Sequence, residues 1–129
     1  MIVLLDTCAL IWWAVDPQKL SRTASDWCAR MEAEGGAISS ISIWEIGTKI
    51  KKGKLDIGLT IEEFTARIRQ TGAIDILPVD EKIWIASLAL QWPHTDPVDR
   101  VIVATAALRA LPLLTTDREI HSFYPKTVW

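Results

Sequence analysis

The sequence predicts an α/β fold, a parallel β-sheet covered by helices on both faces. Three observations lead there. Short apolar runs alternate with longer stretches of helical periodicity from one end of the chain to the other. The first run, Ile2-Val3-Leu4-Leu5, is apolar at consecutive positions, which suits a strand buried on both faces. No linker, internal repeat or low-complexity stretch interrupts the 129 residues, so residues 1–129 read as one domain.

The elements follow in order. Ile2–Leu5 is the first strand, and the apolar stretch Thr7–Ala14 is the first helix. Ser21–Glu34 is a second helix, ended by Gly35-Gly36. Ala37–Ser39 is long enough only for a strand. Ser42–Lys52 is a third helix, with Ile43, Ile46 and Ile50 on one face and Gly53 as its stop. Thr60–Thr71 is a fourth, opening on Thr60 with Glu63 three residues on, the pattern of a capping box. Ile74–Val79 is a strand and Asp80–Gln91 a helix capped by Asp80. Pro97–Ala110 is a helix with Pro97 at its first position, where a missing N–H costs nothing. Leu113–Thr115 is a strand, Asp117–Phe123 a short helix, and Thr127–Trp129 a last strand.

A chain of this length buries roughly two-thirds of its unfolded surface, so it needs no disulfide or structural zinc to fold. The seven tryptophans are expected in the core or at interfaces. Cys8 and Cys28 form neither a CxxC pair nor a zinc-finger spacing, and are expected as two buried thiols in a reducing compartment. No segment reaches the ~18 consecutive apolar residues of a membrane span. The opening apolar run has no basic leader and is broken by Asp6, so it does not read as a signal peptide. These points predict a cytoplasmic protein with no membrane partner.

The formal net charge of −2 does not announce a nucleic-acid binder. Lys49, Lys51, Lys52 and Lys54 nevertheless cluster. They could contact phosphates, but taken alone they read as the solvated last turn of a helix.

Acidic residues placed just after parallel strands are of most interest, because ligands of such folds bind beyond the carboxyl ends of the strands. Asp6 follows the first strand and Asp117 follows Leu113–Thr115. Glu45 and Asp99 fall in first turns of predicted helices. Each has an ordinary structural explanation. Ser42-Ile43-Trp44-Glu45 reads as a capping box, and Glu45 can pair with Lys49. Asp96-Pro97-Val98-Asp99 reads as N-cap, first position and an acid near the positive helix end. Asp6 and Asp117 can cap the helices they precede. Together they are less ordinary. Two carboxylates ~5 Å apart repel by roughly 3 kcal/mol at an effective dielectric of ~20. A cleft that gathers several needs protons or a divalent cation. Hard oxygen donors with open water positions suit Mg2+ or Mn2+, which can polarise a phosphate and activate water.

The order of motifs resembles the PIN-domain ribonucleases, specifically VapC-type toxins of toxin–antitoxin pairs. The matching segments are Leu4-Leu5-Asp6-Thr7, Ser42-Ile43-Trp44-Glu45-Ile46 with Lys49, Gly53-Lys54-Leu55, Asp96-Pro97-Val98-Asp99-Arg100 running into Ile102-Val103-Ala104, and Leu114-Thr115-Thr116-Asp117. The resemblance covers essentially the whole chain. It implies a five-stranded parallel sheet and a metal-binding acidic site of Asp6, Glu45, Asp99 and Asp117, with Thr116 as a supporting hydroxyl. It further implies Mg2+-dependent endoribonuclease activity (Mn2+ being the other candidate metal), an RNA substrate, a homodimer and an antitoxin that blocks the cleft. Lys49, Lys52, Lys54, Arg100 and Arg118 are candidates for steering the RNA backbone.

Asp80 also follows a strand, but capping explains it, and the family places no acid there. Asp96 has its own cap role. His94 and His121 lack the partners of a zinc site; His121, four residues after Asp117, can support the acids from behind. Two other functions compete: a metal-dead PIN-like module that only binds RNA or protein, and a haloacid-dehalogenase-like phosphatase. The latter needs a second Asp two positions after the first, where this chain has Cys8.

Overall fold

The computed structural model describes all 129 residues, Met1–Trp129. Five strands form one parallel sheet: β1 (Leu4–Leu5), β2 (Gly36–Ser39), β3 (Ile74–Leu77), β4 (Leu113–Leu114) and β5 (Thr127–Val128). Their spatial order is β3-β2-β1-β4-β5. The chain thus builds outward from β1 on one side, then returns to add β4 and β5 on the other. Seven α-helices connect them: α1 (Thr7–Val15), α2 (Arg22–Glu34), α3 (Ser40–Lys51), α4 (Ile61–Thr71), α5 (Glu81–Ala89), α6 (Pro97–Arg109) and α7 (Arg118–Phe123). A single 3-10 turn at Pro17–Lys19, not foreseen from the sequence, joins α1 to α2.

The reversal of direction at β1 sorts the helices. Right-handed crossovers put α1–α4 on one face and α5–α7 on the other, and the two cores follow. Val3, Leu5, Ile38 and Leu114 pack with Leu10, Met31, Ile46, Phe64 and Ile68 of the first helix set. Leu4, Ala37 and Leu113 face the opposite way, onto Val98, Ile102, Val103, Ala106 and Ile120. The period-two alternation of a strand therefore serves both faces with apolar residues, which is why the runs show no polar alternation. Helix α5 lies outside this sandwich. Its Ile83 packs on Val101 and Ala104 of α6, leaving Trp84, Ile85 and Leu88 exposed.

Most helix ends match their sequence signals. Ser21, Thr60, Asp80, Asp96 and Asp117 are N-caps, and Thr60 with Glu63 closes both bonds of a capping box at 3.1 Å. The start of α3 differs from expectation. It begins at Ser40 with Ser39 as N-cap, so Ser42 and Glu45 form no capping box. The chain leaves β2 directly into helix, and Ser42 is buried, its hydroxyl 3.0 Å from that of Thr7. Cys28 is buried, but Cys8 is exposed, contrary to the reading of both thiols as core. Thr7, Ala9 and Leu10 turn inward from the first turn of α1, which leaves Cys8 outside. No helix is long and apolar enough to cross a membrane.

Gly36 opens β2 against α2. A Cβ there would stand 2.4 Å from Cγ and 2.6 Å from Sδ of Met31, a fully buried side chain. Gly36→Ala should therefore overpack the site and cost about 1–3 kcal/mol in urea unfolding. In a Met31→Ala background most of that cost should vanish. An equal cost in both backgrounds would contradict this contact as its source.

Candidate active site

The switch in strand order lies between β1 and β4, where a parallel sheet opens its ligand crevice. Register places the side chains there. Leu5 pairs with Leu114, so the residues that follow, Asp6 and Thr115, emerge side by side. Asp6 is 7% exposed. Its Oδ1 accepts the Ala9 N–H at 2.8 Å as the N-cap of α1, and its Oδ2 accepts the Thr115 hydroxyl. The same Thr115 oxygen accepts the Asp117 N–H at 3.1 Å. One buried hydroxyl thus joins the ends of two strands. Asp117 caps α7, with Oδ1 accepting from Glu119 and Ile120 at 2.8 and 3.1 Å. His121, one turn further on, stands behind this contact: its Nε2 is 2.6 Å from the Thr115 carbonyl and its Nδ1 2.7 Å from the Thr127 hydroxyl.

Asp99 comes from the first turn of α6. Its Oδ2 lies 2.8 Å from Nε2 of His94, whose Nδ1 meets the Glu119 carboxylate of α7. Asp96 accepts the Val98 N–H at 2.9 Å through Oδ1. His94, Asp96 and Asp99 each offer a ligand atom, all within 4.8 Å of one another. Glu45 lies in the second turn of α3 rather than the first. It shares a helix face with Ser42, which touches Thr7 beside Asp6. It makes no ion pair with Lys49. Its charge is felt at Cys8, as are those of Asp6, Asp99 and Lys49. The structure thus joins Asp6, Asp99 and Asp117 electrostatically and sets Glu45 at the α3 side.

Burial pushes the Asp6 carboxyl up to about 6, and the charges of Asp99 and Asp117 add to the rise; the Thr115 and Ala9 hydrogen bonds only partly offset it. Burial raises Asp99 as well, helped by Asp96 and Asp117 and opposed by His94. The hydrogen bond to Asp99 holds His94 above its ordinary value. Buried Asp6 and half-buried Asp99 resist ionisation chiefly because they are desolvated, and repulsion between the gathered like charges adds to this. All-oxygen donors from several elements fit a hard divalent cation, which would relieve that repulsion.

Two expectations are corrected. Thr116 is exposed, and the supporting hydroxyl is that of Thr115, because register pairs Thr115 and not Thr116 with Asp6. Arg100 is not free to meet a substrate. Its guanidinium is spent on the carbonyls of Ser87, Leu90, Trp92 and His94. Lys49, Lys52, Lys54 and Arg118 are exposed. His94 was weighed in the sequence only as a zinc ligand and set aside; its proximity in sequence to Asp99 was the only signal of the contact the structure shows.

The raised Asp6 carboxyl makes stability depend on pH. Its value is 3.8 unfolded and about 6 folded, so the native state binds the proton more tightly and stability falls as pH rises between them. In EDTA, Asp6→Asn should match the parent near pH 4 and be more stable by about 2–3 kcal/mol at neutral pH. A stability gap that does not widen with pH would contradict the burial of this charge.

The comparisons agree with the geometry. The PIN domain matches residues 3–124. The chain is 30% identical to Ribonuclease VapC22 of Mycobacterium tuberculosis over 134 aligned positions, covering 98% of each. A toxin–antitoxin complex from Klebsiella pneumoniae contains a chain that superposes with a TM-score of 0.64 at 25% identity, covering 98% of this chain and 96% of that one. FitAcB from Neisseria gonorrhoeae shares the fold at a TM-score of 0.68 and 21% identity, over 99% and 96% of the two chains. The sheet order, the crevice at its switch point and these matches agree: the chain belongs to the PIN-domain family, among relatives of the VapC type.

Proposed function

We propose that the chain is an Mg2+- or Mn2+-dependent endoribonuclease, the toxin of a toxin–antitoxin pair. The observation that carries this reading is the gathering of Asp6, Asp99 and Asp117 at the β1/β4 crevice, with Asp6 and Asp99 resisting ionisation. Likeness to a relative named a ribonuclease, and to a chain from a toxin–antitoxin complex, supports both halves of it.

Asp6, Asp99, Asp117 and Glu45 would hold the cation. Once bound, it would polarise the phosphate and ease formation of hydroxide from water. Thr115 keeps Asp6 in place by donating to Oδ2, while Oδ1 stays engaged with α1. The exposed Lys49, Lys52, Lys54 and Arg118 would draw in the RNA backbone. The substrate would be a single-stranded segment of a structured RNA, where the backbone is free to enter the cleft.

A homodimer fits the outer face of α5. Trp84, Ile85 and Leu88 are 47, 66 and 81% exposed. Beside them lies a cavity of about 390 Å3 lined by Ser40, Ile41, Trp44, Val79, Trp84, Pro97 and Val98. A contiguous apolar surface of this kind marks an association site. The antitoxin would cover the acidic cleft. Replacing Ile85 and Leu88 together by Glu should turn a dimer into a folded monomer in light scattering. A parent that is already monomeric would remove the proposal.

RNA cleavage should vanish in EDTA and return with Mg2+. Asp99→Asn should be stable and inactive at ordinary Mg2+. Asp96→Asn should keep much of its activity, since Asn caps nearly as well as Asp. Full activity in Asp99→Asn with none in Asp96→Asn would reverse the two assignments. Activity indifferent to EDTA would overturn metal dependence, and a parent that binds RNA without cutting it would support the silent-module alternative.

A further inference from the structure

The segment between α5 and α6, residues 90–96, has almost no regular structure, yet it is tightly held. Arg100 holds it. Nε donates to the Ser87 carbonyl at 3.0 Å; Nη2 donates to Ser87 at 2.6 Å and Leu90 at 3.1 Å; Nη1 donates to Trp92 at 2.6 Å and His94 at 3.0 Å. A guanidinium has five N–H donors in a fixed fork, and all are used here. The segment wraps around one cation and ends on His94.

The His94 ring is fixed in three further ways. It stacks on Trp92 with centroids 4.5 Å apart, and Trp92 stacks on Phe123 of α7 at 4.8 Å and 8°. Nε2 meets Asp99 on α6 at 2.8 Å, and Nδ1 meets Glu119 on α7. Oδ2 of Asp99 is thereby occupied, whereas its Oδ1 has no hydrogen-bond partner. A carboxylate on a helix turn otherwise rotates freely about its side-chain bonds. This one is pinned through one oxygen.

We propose that His94 is the positioning residue of Asp99: carried on a segment that Arg100 keeps folded, its imidazole fixes the Asp99 carboxylate and ties it to α7, so that the other oxygen is presented for the cation. The proposal rests on the reading of Asp99 as a metal-holding acid. Hydrogen-bonded partners of metal-binding carboxylates set ligand orientation, and losing one typically weakens metal binding about 10–100-fold.

The test compares the parent with His94→Ala and His94→Gln, using Mn2+ as the probe. Free Mn2+ is counted by electron paramagnetic resonance, and RNA cleavage is followed across Mn2+ concentrations. Circular dichroism in EDTA establishes that each variant is folded; the His94 side chain is 18% exposed and lies outside both main cores. His94→Ala should bind Mn2+ about 10–100-fold more weakly, with the cleavage rate returning to within a few-fold at saturating metal. His94→Gln, whose amide can still donate to Asp99, should recover most of the affinity. Parental Mn2+ affinity in His94→Ala would overturn the proposal. So would equal and complete loss in both variants, which would make His94 a direct ligand. The two readings fail separately. If Mn2+ affinity depends on His94 but no RNA is cut, positioning stands and the nuclease reading falls. If the parent cuts RNA and His94→Ala binds Mn2+ as the parent does, the reverse holds.

Discussion

The contact on which the site depends is the one between Asp6 and Thr115. It exists because β1 and β4 are neighbours in parallel with Leu5 opposite Leu114. That pairing crosses the point where the chain reverses its direction of building, and the helices that follow β1 and β4 lie on opposite faces of the sheet. The crevice left between those helices receives Asp6 and, two residues beyond Thr115, Asp117. Thr115 donates to one and accepts from the backbone of the other, so both strand ends are fixed through a single side chain. The outcome is a carboxyl that is buried, hydrogen-bonded and still reluctant to ionise.

Capping and cation binding look like competing explanations for these acids, but a carboxylate has two oxygens. Asp6 caps α1 through Oδ1 and Asp117 caps α7 through Oδ1. The second oxygen of Asp6 accepts the Thr115 hydroxyl, and the second oxygen of Asp117 has no hydrogen-bond partner. Capping costs the site nothing and helps it, because it locks the side chain in one rotamer at a helix end that favours negative charge. Asp99 is not a cap and has no backbone bond to hold it, which is why a histidine on a neighbouring segment matters there.

Much of this was legible in the sequence. The consecutive apolar residues of Val3–Leu5 and Leu113–Leu114 told of strands buried on both faces, and Thr60 with Glu63 marked a helix start to the residue. The acids could be picked out because each follows a strand or sits near a helix start. What was not legible depends on register and on irregular backbone. Thr115 and Thr116 are the same residue type; only pairing with β1 decides which one meets Asp6. The start of α3 was misplaced because Ser39, Ser40 and Ser42 are all plausible caps, and burial of Ser42 against Thr7 is a tertiary fact. Arg100 looked like a cation for RNA, since nothing local shows that four carbonyls converge on it.

Asp6 at the centre of the site is a buried acid whose charge is unfavourable without a cation beside it. The most direct measurement is the carboxyl carbon-13 resonance of Asp6, followed through a pH titration with and without Mg2+. The account predicts a midpoint near 6 in the metal-free protein, and a fall well below the usual carboxylate range when Mg2+ is present. A midpoint near that of an ordinary aspartate, unmoved by Mg2+, would contradict it.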